Sequence, residues 1–198
     1  GQGIAGTPLQ LAAAFSVFAN KGIYTTPRLF ADQAGKHKRV MTAAIANQVL
    51  TMLEFATSED GTGKYAVPEG YRIAGKTGTA QKPGVHGSYS KSKYMAVFAG
   101  VAPVNDPQLV IVVVVDEPQK SIYGGQVAAP VFRHIAESVL PYLGVSARIE
   151  DQTAWRNMTI ATEVPVLDGT SLAGMSMREV RRYAAERGLR LHVHGSGW

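Results

Sequence analysis

The densest group of chemically useful side chains is a Lys-Thr-Gly-Thr segment near the middle of the chain. We interpret Tyr71 to Ala80 as an edge strand in which Lys76 supplies a positive charge and Thr77 and Thr79 supply hydroxyl groups. These groups can hold a terminal carboxylate, and the strand edge can pair with an extended peptide. Gly78 leaves room for that peptide, and the Thr79 N–H can donate to an oxyanion. The alternative is an ordinary glycine-bearing strand with one exposed lysine.

The same segment also fits the spacing of a phosphate-binding loop, because Gly70 and Gly75 are separated by four residues and precede a Lys-Thr pair. In that motif a strand leads into the first glycine and a helix opens at the lysine, so that backbone amides cradle the phosphates. Here a Val-Pro-Glu sequence precedes Gly70, while Gly78 and Pro83 follow. We therefore expect no helix at Lys76, and nucleotide binding is the less favoured interpretation.

Helices precede the strands that position this segment. Thr7 as N-cap and Pro8 at the first helical position predict a helix that stops at Gly22, followed by extended chain. The remaining predicted elements are a helix from Thr42 to about Phe55, strands at Tyr71–Thr79, Tyr94–Ala102 and Leu109–Asp116, and a helix from about Val127 to Leu140. Residues 103–107 form a short turn, so the last two strands make an antiparallel hairpin. This order of elements indicates an α+β fold.

Apolar spacing predicts which faces of these elements are buried. The predicted buried positions are Leu11, Phe15 and Phe18 in the first helix and Ile45, Val49, Met52 and Leu53 in the second. The strand Leu109–Asp116 is apolar on both faces, which predicts a position in the middle of the sheet.

Composition and charge exclude several kinds of protein. The 198 residues contain no cysteine, so disulfides, thiolate metal sites and a cysteine nucleophile are ruled out. No apolar run reaches the roughly 18–20 residues that span a bilayer. The net charge is +5, of which +4 lies in residues 1–147 and +1 in residues 148–198. The basic residues around the Lys-Thr-Gly-Thr segment lack the interleaved aromatic residues of a nucleic-acid platform, so we expect no nucleic acid partner and favour an anionic small substrate.

The last quarter of the chain predicts a separate small unit. Residues 146–163 are polar and read as a linker, and residues 164–198 contain two short strands and one helix, too little to bury a core alone. His192 and His194 alternate along one of these strands and share a face. Because no third ligand accompanies them, we predict a solvated strand face there, and neither a metal nor a cofactor for the chain.

Several segments, in order, resemble the C-terminal part of the transpeptidase domain of class B penicillin-binding proteins, the septal cell-division type. They are residues 1–12, 19–22, 61–63, 70–82 and 124–132. The resemblance implies a fragment of the penicillin-binding protein/serine β-lactamase-like fold at residues 1–145. From residue 164 the chain resembles a PASTA module, the small αβ repeat often appended to such enzymes, and this module is incomplete.

The family uses three catalytic motifs, and only the Lys-Thr-Gly motif carries over, onto Lys76, Thr77 and Gly78 with Thr79 after it. A Ser-x-x-Lys spacing starts at Ser88, in a polar loop and in the wrong chain order, and no Ser-x-Asn occurs. The resemblance therefore implies a serine-type D-Ala-D-Ala transpeptidase or carboxypeptidase parent. We expect its nucleophile, lysine base and second motif upstream of this chain, which would be inactive alone. A non-catalytic cell-wall-binding or β-lactam-sensing protein on the same fold is the alternative.

The resemblance also implies partners and a location. The expected ligands are peptidoglycan stem peptides and β-lactams, with glycan or muropeptide at the PASTA-like module and cell-division proteins as partners of the parent. The parent is expected at the extracytoplasmic face of the bacterial cell membrane, on the periplasmic or cell-wall side, anchored by an N-terminal segment that this sequence does not include.

Overall fold

The computed structural model describes residues 3–30, 32–84 and 88–148. In chain order, the elements are α1 (Pro8–Ala19), β1 (Ile23–Thr25), β2 (His37–Arg39), α2 (Ala43–Phe55), a 3₁₀ turn (Lys64–Ala66), β3 (Ala74–Pro83), β4 (Tyr89–Ala102), β5 (Leu109–Asp116), α3 (Gly124–Val127) and α4 (Ala129–Tyr142). The expected α+β composition is confirmed. The predictions for residues 149–198, including the PASTA-like module, His192 and His194, lie outside the described residues, and the domain boundaries remain predictions.

The main sheet is antiparallel, with strand order β3-β4-β5. Side chains that alternate across these strands divide into two hydrophobic clusters. One cluster joins Ile73, Phe98 and Val113 to α4, whose Phe132 ring stacks edge-on against Phe98 at 4.9 Å between centroids. The other includes Val101 and packs against α1 and α2. The sheet is therefore covered by helices on both faces.

The position of β5 corrects one expectation. It pairs with β4 and lies at one end of the sheet in the described part of the chain, so β4 is the central strand. Both faces of β5 are apolar because α1 packs near one face and α4 near the other. The apolar residues on both faces of β5 are therefore explained by helices packed against the sheet, and not by a central position of the strand.

Helix α1 begins as predicted. The Thr7 hydroxyl accepts the Gln10 N–H at 3.1 Å, and the Gln10 side chain accepts the Thr7 N–H at 2.8 Å, which completes a capping box. The helix ends at Ala19, and its most buried residues are Ala13 and Val17, while the predicted aromatic positions are half-buried. The extended chain after it forms β1, which pairs with β2, a short strand that the sequence pattern did not indicate.

Helix α2 buries a face that overlaps the predicted one only at Val49 and Leu53, which are half-buried. Its buried residues are Ala46, Leu50 and Glu54, whereas Ile45 and Met52 are exposed. Glu54 is buried because Arg72 donates two hydrogen bonds to its carboxylate, from Nε at 2.6 Å and from Nη2 at 2.8 Å. A charged side chain on a buried face requires such a partner, and apolar spacing does not reveal it.

The strands around the Lys-Thr-Gly-Thr segment are shifted from their predicted bounds. Strand β3 begins at Ala74 and continues to Pro83, with an irregularity in its pairing after Gln81. Strand β4 begins at Tyr89, so Ser88 directly precedes the strand and the rest of its Ser-x-x-Lys spacing lies within it. The expected polar loop at Tyr89 to Lys91 is therefore wrong, while the expected absence of a helix at these residues agrees with the structure.

Candidate active site

Strand β3 is an edge strand in the described part of the protein and carries the Lys-Thr-Gly-Thr segment near its middle. Alternation along the strand directs Thr77 and Thr79 to the face that α3 covers and directs Lys76 to the opposite face. The long lysine side chain nevertheless returns to the strand. Its Nζ lies 3.2 Å from the Thr77 carbonyl oxygen and 3.3 Å from the Thr77 hydroxyl. The ammonium group and that hydroxyl are thus neighbours, as the sequence interpretation requires.

A second threonine holds the first in place. The hydroxyls of Thr62 and Thr77 are 2.9 Å apart. Thr62 is positioned by the glycines on either side of it, because a Cβ at Gly61 would overlap the Ala56 carbonyl oxygen and the Gly63 N–H donates to that same oxygen at 2.8 Å. The sequence interpretation did not assign a site role to Thr62. The available signal was its Gly-Thr-Gly context, one of the segments that carry the family resemblance.

Two consecutive glycines bring α3 close to β3. The Gly124 N–H donates to the Thr79 hydroxyl at 3.3 Å. A Cβ at Gly124 would overlap the carbonyl oxygen of Val97, and a Cβ at Gly125 would overlap that of Thr62. Only residues without a Cβ permit this approach. These glycines therefore set how closely α3 lies to the Thr79 hydroxyl and to residues 61–63, which we call the Thr62 loop.

Gly78 has a different environment. A Cβ added there would lie 3.5 Å from the Val97 Cβ, an ordinary van der Waals contact, and its φ does not fall in the left-handed region. Packing among the described residues therefore does not require glycine at this position. Close approach by a bound molecule is one physical reason that would favour glycine here.

The lysines near β3 differ in whether they form salt bridges with carboxylates. Lys82 Nζ donates to Asp116 at 2.9 Å and to Glu117 at 2.8 Å, and Lys93 Nζ lies 3.4 Å from Glu117. The hydrogen bond to Glu117, followed by that to Asp116, raises the pKa of Lys82, while the bonds from Lys82 and Lys93 lower the pKa of Glu117. Lys76 forms no salt bridge with a carboxylate of the described residues. Its charge is available to an anion.

Two other kinds of site receive no support from the part of the chain that the structure describes. Lys76 lies inside a strand, and no helix opens there, which is the geometry expected when the phosphate-loop spacing is coincidental. No group of three or more His, Asp or Glu side chains there is arranged to hold a metal ion. Within the same ranges, no helix is long and apolar enough to cross a membrane.

Comparison with known proteins gives a consistent result. The family described as penicillin binding protein transpeptidase domain matches residues 1–137. Stage V sporulation protein D of Bacillus subtilis is 39% identical over 192 residues, which cover 88% of this chain and 29% of the relative. Peptidoglycan D,D-transpeptidase FtsI of Escherichia coli K12 is 41% identical over 147 residues, 73% of this chain and 25% of the relative.

Solved structures agree with these relatives. The apo structure of the TP domain of Burkholderia pseudomallei penicillin-binding protein 3 has a TM-score of 0.66 and 38% identity, and the match covers 74% of this chain and 45% of that chain. Penicillin-binding protein 3 of Mycobacterium tuberculosis, complexed with aztreonam, has a TM-score of 0.65 and 32% identity, with 74% and 37% covered.

The chain spans less than a third of the length of these curated relatives. Within that span the family match, the sequence identity and the helix-covered antiparallel sheet all agree. This chain belongs to the transpeptidase domain family of class B penicillin-binding proteins.

Proposed function

We propose that this chain is part of a peptidoglycan D,D-transpeptidase that cross-links stem peptides in cell-wall synthesis and division. The observation that carries the proposal is the Lys76 ammonium beside the Thr77 hydroxyl on an edge strand, with a second hydroxyl at Thr79. FtsI relatives are named peptidoglycan D,D-transpeptidases, which agrees with this assignment.

In this proposal the terminal carboxylate of a D-Ala-D-Ala peptide binds to Lys76, Thr77 and Thr79. Thr77 Oγ1 lies within hydrogen-bond distance of both Thr62 and Lys76. If both donate to it, the Thr77 proton is left to donate to the carboxylate, because a hydroxyl has one proton and two acceptor positions. The peptide backbone lies along the edge of β3 over Gly78, and the Thr79 N–H donates to the oxyanion.

The proposed reaction is acyl transfer through a serine ester. A serine oxygen attacks the carbonyl of the penultimate D-Ala, the peptide bond breaks, and the terminal D-Ala leaves with the serine proton on its amine. The amine of a neighbouring stem peptide then attacks the ester, which forms the cross-link and returns a proton to the serine. Ser88 directly precedes β4, and Ser90, which also begins a Ser-x-x-Lys spacing, lies within it. Neither has the helical setting of a Ser-x-x-Lys nucleophile, so we assign the nucleophile to a part of the parent outside these 198 residues.

The remaining assignments rest on the family resemblance. We propose β-lactams and stem peptides as ligands, cell-division proteins as partners, and the extracytoplasmic face of the membrane as the location of the parent, anchored by an N-terminal segment. The alignment with Stage V sporulation protein D covers 88% of the chain and so extends beyond the family match at residues 1–137. A PASTA-like module that binds glycan or muropeptide there remains our proposal.

Covalent labelling with a fluorescent penicillin tests the site. In the full-length parent, Lys76→Ala or Thr77→Val should abolish labelling, because the anchor for the carboxylate of the antibiotic is lost. The matched control is Lys91→Ala, which removes an exposed lysine that forms no salt bridge in the described structure. Unchanged labelling of the Lys76 and Thr77 variants would contradict the assignment of these residues.

The same probe tests whether the 198-residue chain is active alone. We expect no covalent labelling of the isolated chain, because acyl transfer needs a nucleophile and a base within hydrogen-bond reach. A labelled serine in the purified chain, located by peptide mapping, would overturn that expectation.

A further inference from the structure

The net positive charge of residues 1–147 is concentrated in one hairpin. Thirteen Lys and Arg residues face nine Asp and Glu residues in this part of the sequence. Five of the cations, and only one acid, lie between Lys21 and Arg39, so the remaining residues up to 147 are balanced at eight against eight. The five cations are Lys21, Arg28, Lys36, Lys38 and Arg39. None of them forms a salt bridge with a carboxylate among the described residues.

The two strands of this hairpin pair in register from Ile23 with Arg39 to Thr25 with His37, and all three residues of β2 are exposed. The guanidinium group of Arg39 donates to the carbonyl oxygens of Lys21 and Met41, at 2.9 and 3.1 Å, and so fixes the base of the hairpin. Carbonyl oxygens do not neutralise its charge. The hairpin therefore presents a positive surface on a defined backbone.

Two large apolar side chains lie between these cations. Leu29 is 87% exposed and Phe30 is 65% exposed. Their backbone N–H groups donate to the Gln33 side chain at 3.0 and 3.4 Å, and the Arg28 guanidinium donates to the Gln33 carbonyl oxygen at 3.2 Å. Local hydrogen bonds thus hold the backbone at Leu29 and Phe30. We call these two apolar residues, together with Arg28, Lys36 and Lys38, the basic-apolar tip.

The tip combines cations with exposed apolar side chains, and this combination favours one class of anionic partner over others. A soluble polyanion offers cations a partner but gives Leu29 and Phe30 nothing apolar to contact. A stable protein interface normally buries about 1,200–2,000 Å² in total, which is large for the end of one hairpin. A bilayer with anionic lipids accepts both features, because apolar side chains enter the boundary between headgroups and acyl chains while Lys and Arg contact the phosphates.

We propose that the basic-apolar tip binds the surface of an anionic lipid bilayer, with Leu29 and Phe30 inserted at the interface and Arg28, Lys36 and Lys38 against lipid phosphates. This contact is separate from the proposed transpeptidase site. Its failure would leave the penicillin-labelling experiment unaffected.

Co-sedimentation with lipid vesicles tests the proposal on the whole 198-residue chain. The probes are phosphatidylcholine vesicles with about 30% phosphatidylglycerol and vesicles of phosphatidylcholine alone. We expect binding to the anionic vesicles that weakens between about 0.1 and 0.5 M salt, where screening becomes strong. Lys36→Gln with Lys38→Gln should weaken binding about thirtyfold. Leu29→Ser with Phe30→Ser should weaken it about tenfold or more.

The control is Lys91→Gln with Lys120→Gln, which removes the same charge from two exposed positions outside the tip. Circular dichroism on every variant verifies that the fold is retained. The proposal is overturned if anionic vesicles do not bind the chain, or if the control weakens binding as much as the change at Lys36 and Lys38. Unchanged binding of the Leu29/Phe30 variant would also overturn it and would indicate attraction to polyanions without insertion.

Discussion

At the scale of single residues, the glycines near Lys76 differ in whether packing requires them. Gly124 and Gly125 are required by packing, since a Cβ at either would overlap a backbone carbonyl oxygen. Gly78 is not, since a Cβ there would make only an ordinary contact with Val97. Gly78 is therefore the position at which a requirement of ligand binding can be tested apart from the requirements of packing.

We predict that Gly78→Ala leaves the fold intact but weakens penicillin labelling of the full-length parent about tenfold or more, because the added methyl group displaces the ligand from the strand. The melting temperature should be unchanged or slightly higher, because alanine at an unstrained glycine position reduces the conformational entropy of the unfolded chain. Gly125→Ala is the comparison: it should lower the melting temperature, because the methyl group overlaps the Thr62 carbonyl oxygen. Full labelling by Gly78→Ala would show that no ligand approaches β3 closely at this position.

Thr62 provides a second prediction at this scale. Thr62→Val preserves the shape of the side chain but removes the 2.9 Å hydrogen bond to Thr77. We expect the acylation rate of the full-length parent to fall about fivefold, which corresponds to one hydrogen bond of about 1 kcal/mol. Thr62→Ser keeps a hydroxyl and should restore most of the rate. Equal losses in the valine and serine variants would show that packing, and not the hydrogen bond, matters at position 62.

At the scale of elements, charge ties together the ends of the three strands of the main sheet. Lys82 of β3 and Lys93 of β4 both contact Glu117, which directly follows β5. Glu117 has a φ of 45°, in the left-handed region that non-glycine residues rarely occupy, and its N–H donates to the Tyr94 carbonyl oxygen at 3.0 Å. This backbone conformation places the carboxylate against two lysines and links β3, which carries Thr79, and its neighbour β4 to the end of β5.

The pH dependence of stability should report this charge cluster. The pKa of Glu117 lies below its usual 4.5, so its contribution is present above that pH and is lost as the pH falls through the lowered value. The pKa of Lys82 lies above its usual 10.5, so its contribution is complete below that pH and is lost as the pH rises through the raised value. Melting temperature measured against pH should therefore fall at both ends of a plateau. Lys82→Gln should lower the plateau and flatten both ends, whereas Lys91→Gln should change neither.

The sequence predicts elements better than it predicts their environment. Cap residues and strand-forming runs are local signals, which is why the helix after Thr7 begins where expected and the strand around Val113 has its predicted bounds. The buried face of α2 is not local. It depends on Arg72, eighteen residues after Glu54, whose bidentate ion pair allows a carboxylate to take the place of an apolar side chain.

At the scale of the whole molecule, the site assembles from three separated segments: the Thr62 loop, β3 and the start of α3. The sequence identifies the Lys-Thr-Gly-Thr segment because its residues are consecutive and chemically dense. Thr62 and Gly124 contribute through contacts across long stretches of chain, at 2.9 Å to Thr77 and 3.3 Å to Thr79. Spacing alone gives no measure of such contacts, and only the ordered set of motifs in the family resemblance indicated that these segments belong together.

The end of the first domain, which the sequence places at residue 145, offers a prediction at the same scale. The Arg148 N–H donates to the Gly70 carbonyl oxygen at 2.8 Å, and the Tyr71 hydroxyl donates to the Val145 carbonyl oxygen at 2.8 Å. Val145 also packs against the cluster on the α4 side of the sheet. These contacts attach the segment after α4 to the chain that leads directly into β3.

We therefore expect a truncated chain of residues 1–148 to unfold at a higher temperature than one of residues 1–142. The hydrogen bonds to the Gly70 carbonyl oxygen and from the Tyr71 hydroxyl, with one partly buried valine, correspond to about 2–4 kcal/mol. The shorter chain also loses the hydrogen bonds that the N–H groups of residues 143–145 donate to the last turn of α4, so this value is a lower bound. For a domain of this size that is a difference of about 6–15 °C in melting temperature. A Tyr71→Phe variant of the longer chain removes only the hydroxyl and should account for about 1 kcal/mol of that difference. Equal melting temperatures for the two truncated chains would place the functional end of the domain before Leu143 and would make the contacts at Val145 and Arg148 energetically neutral.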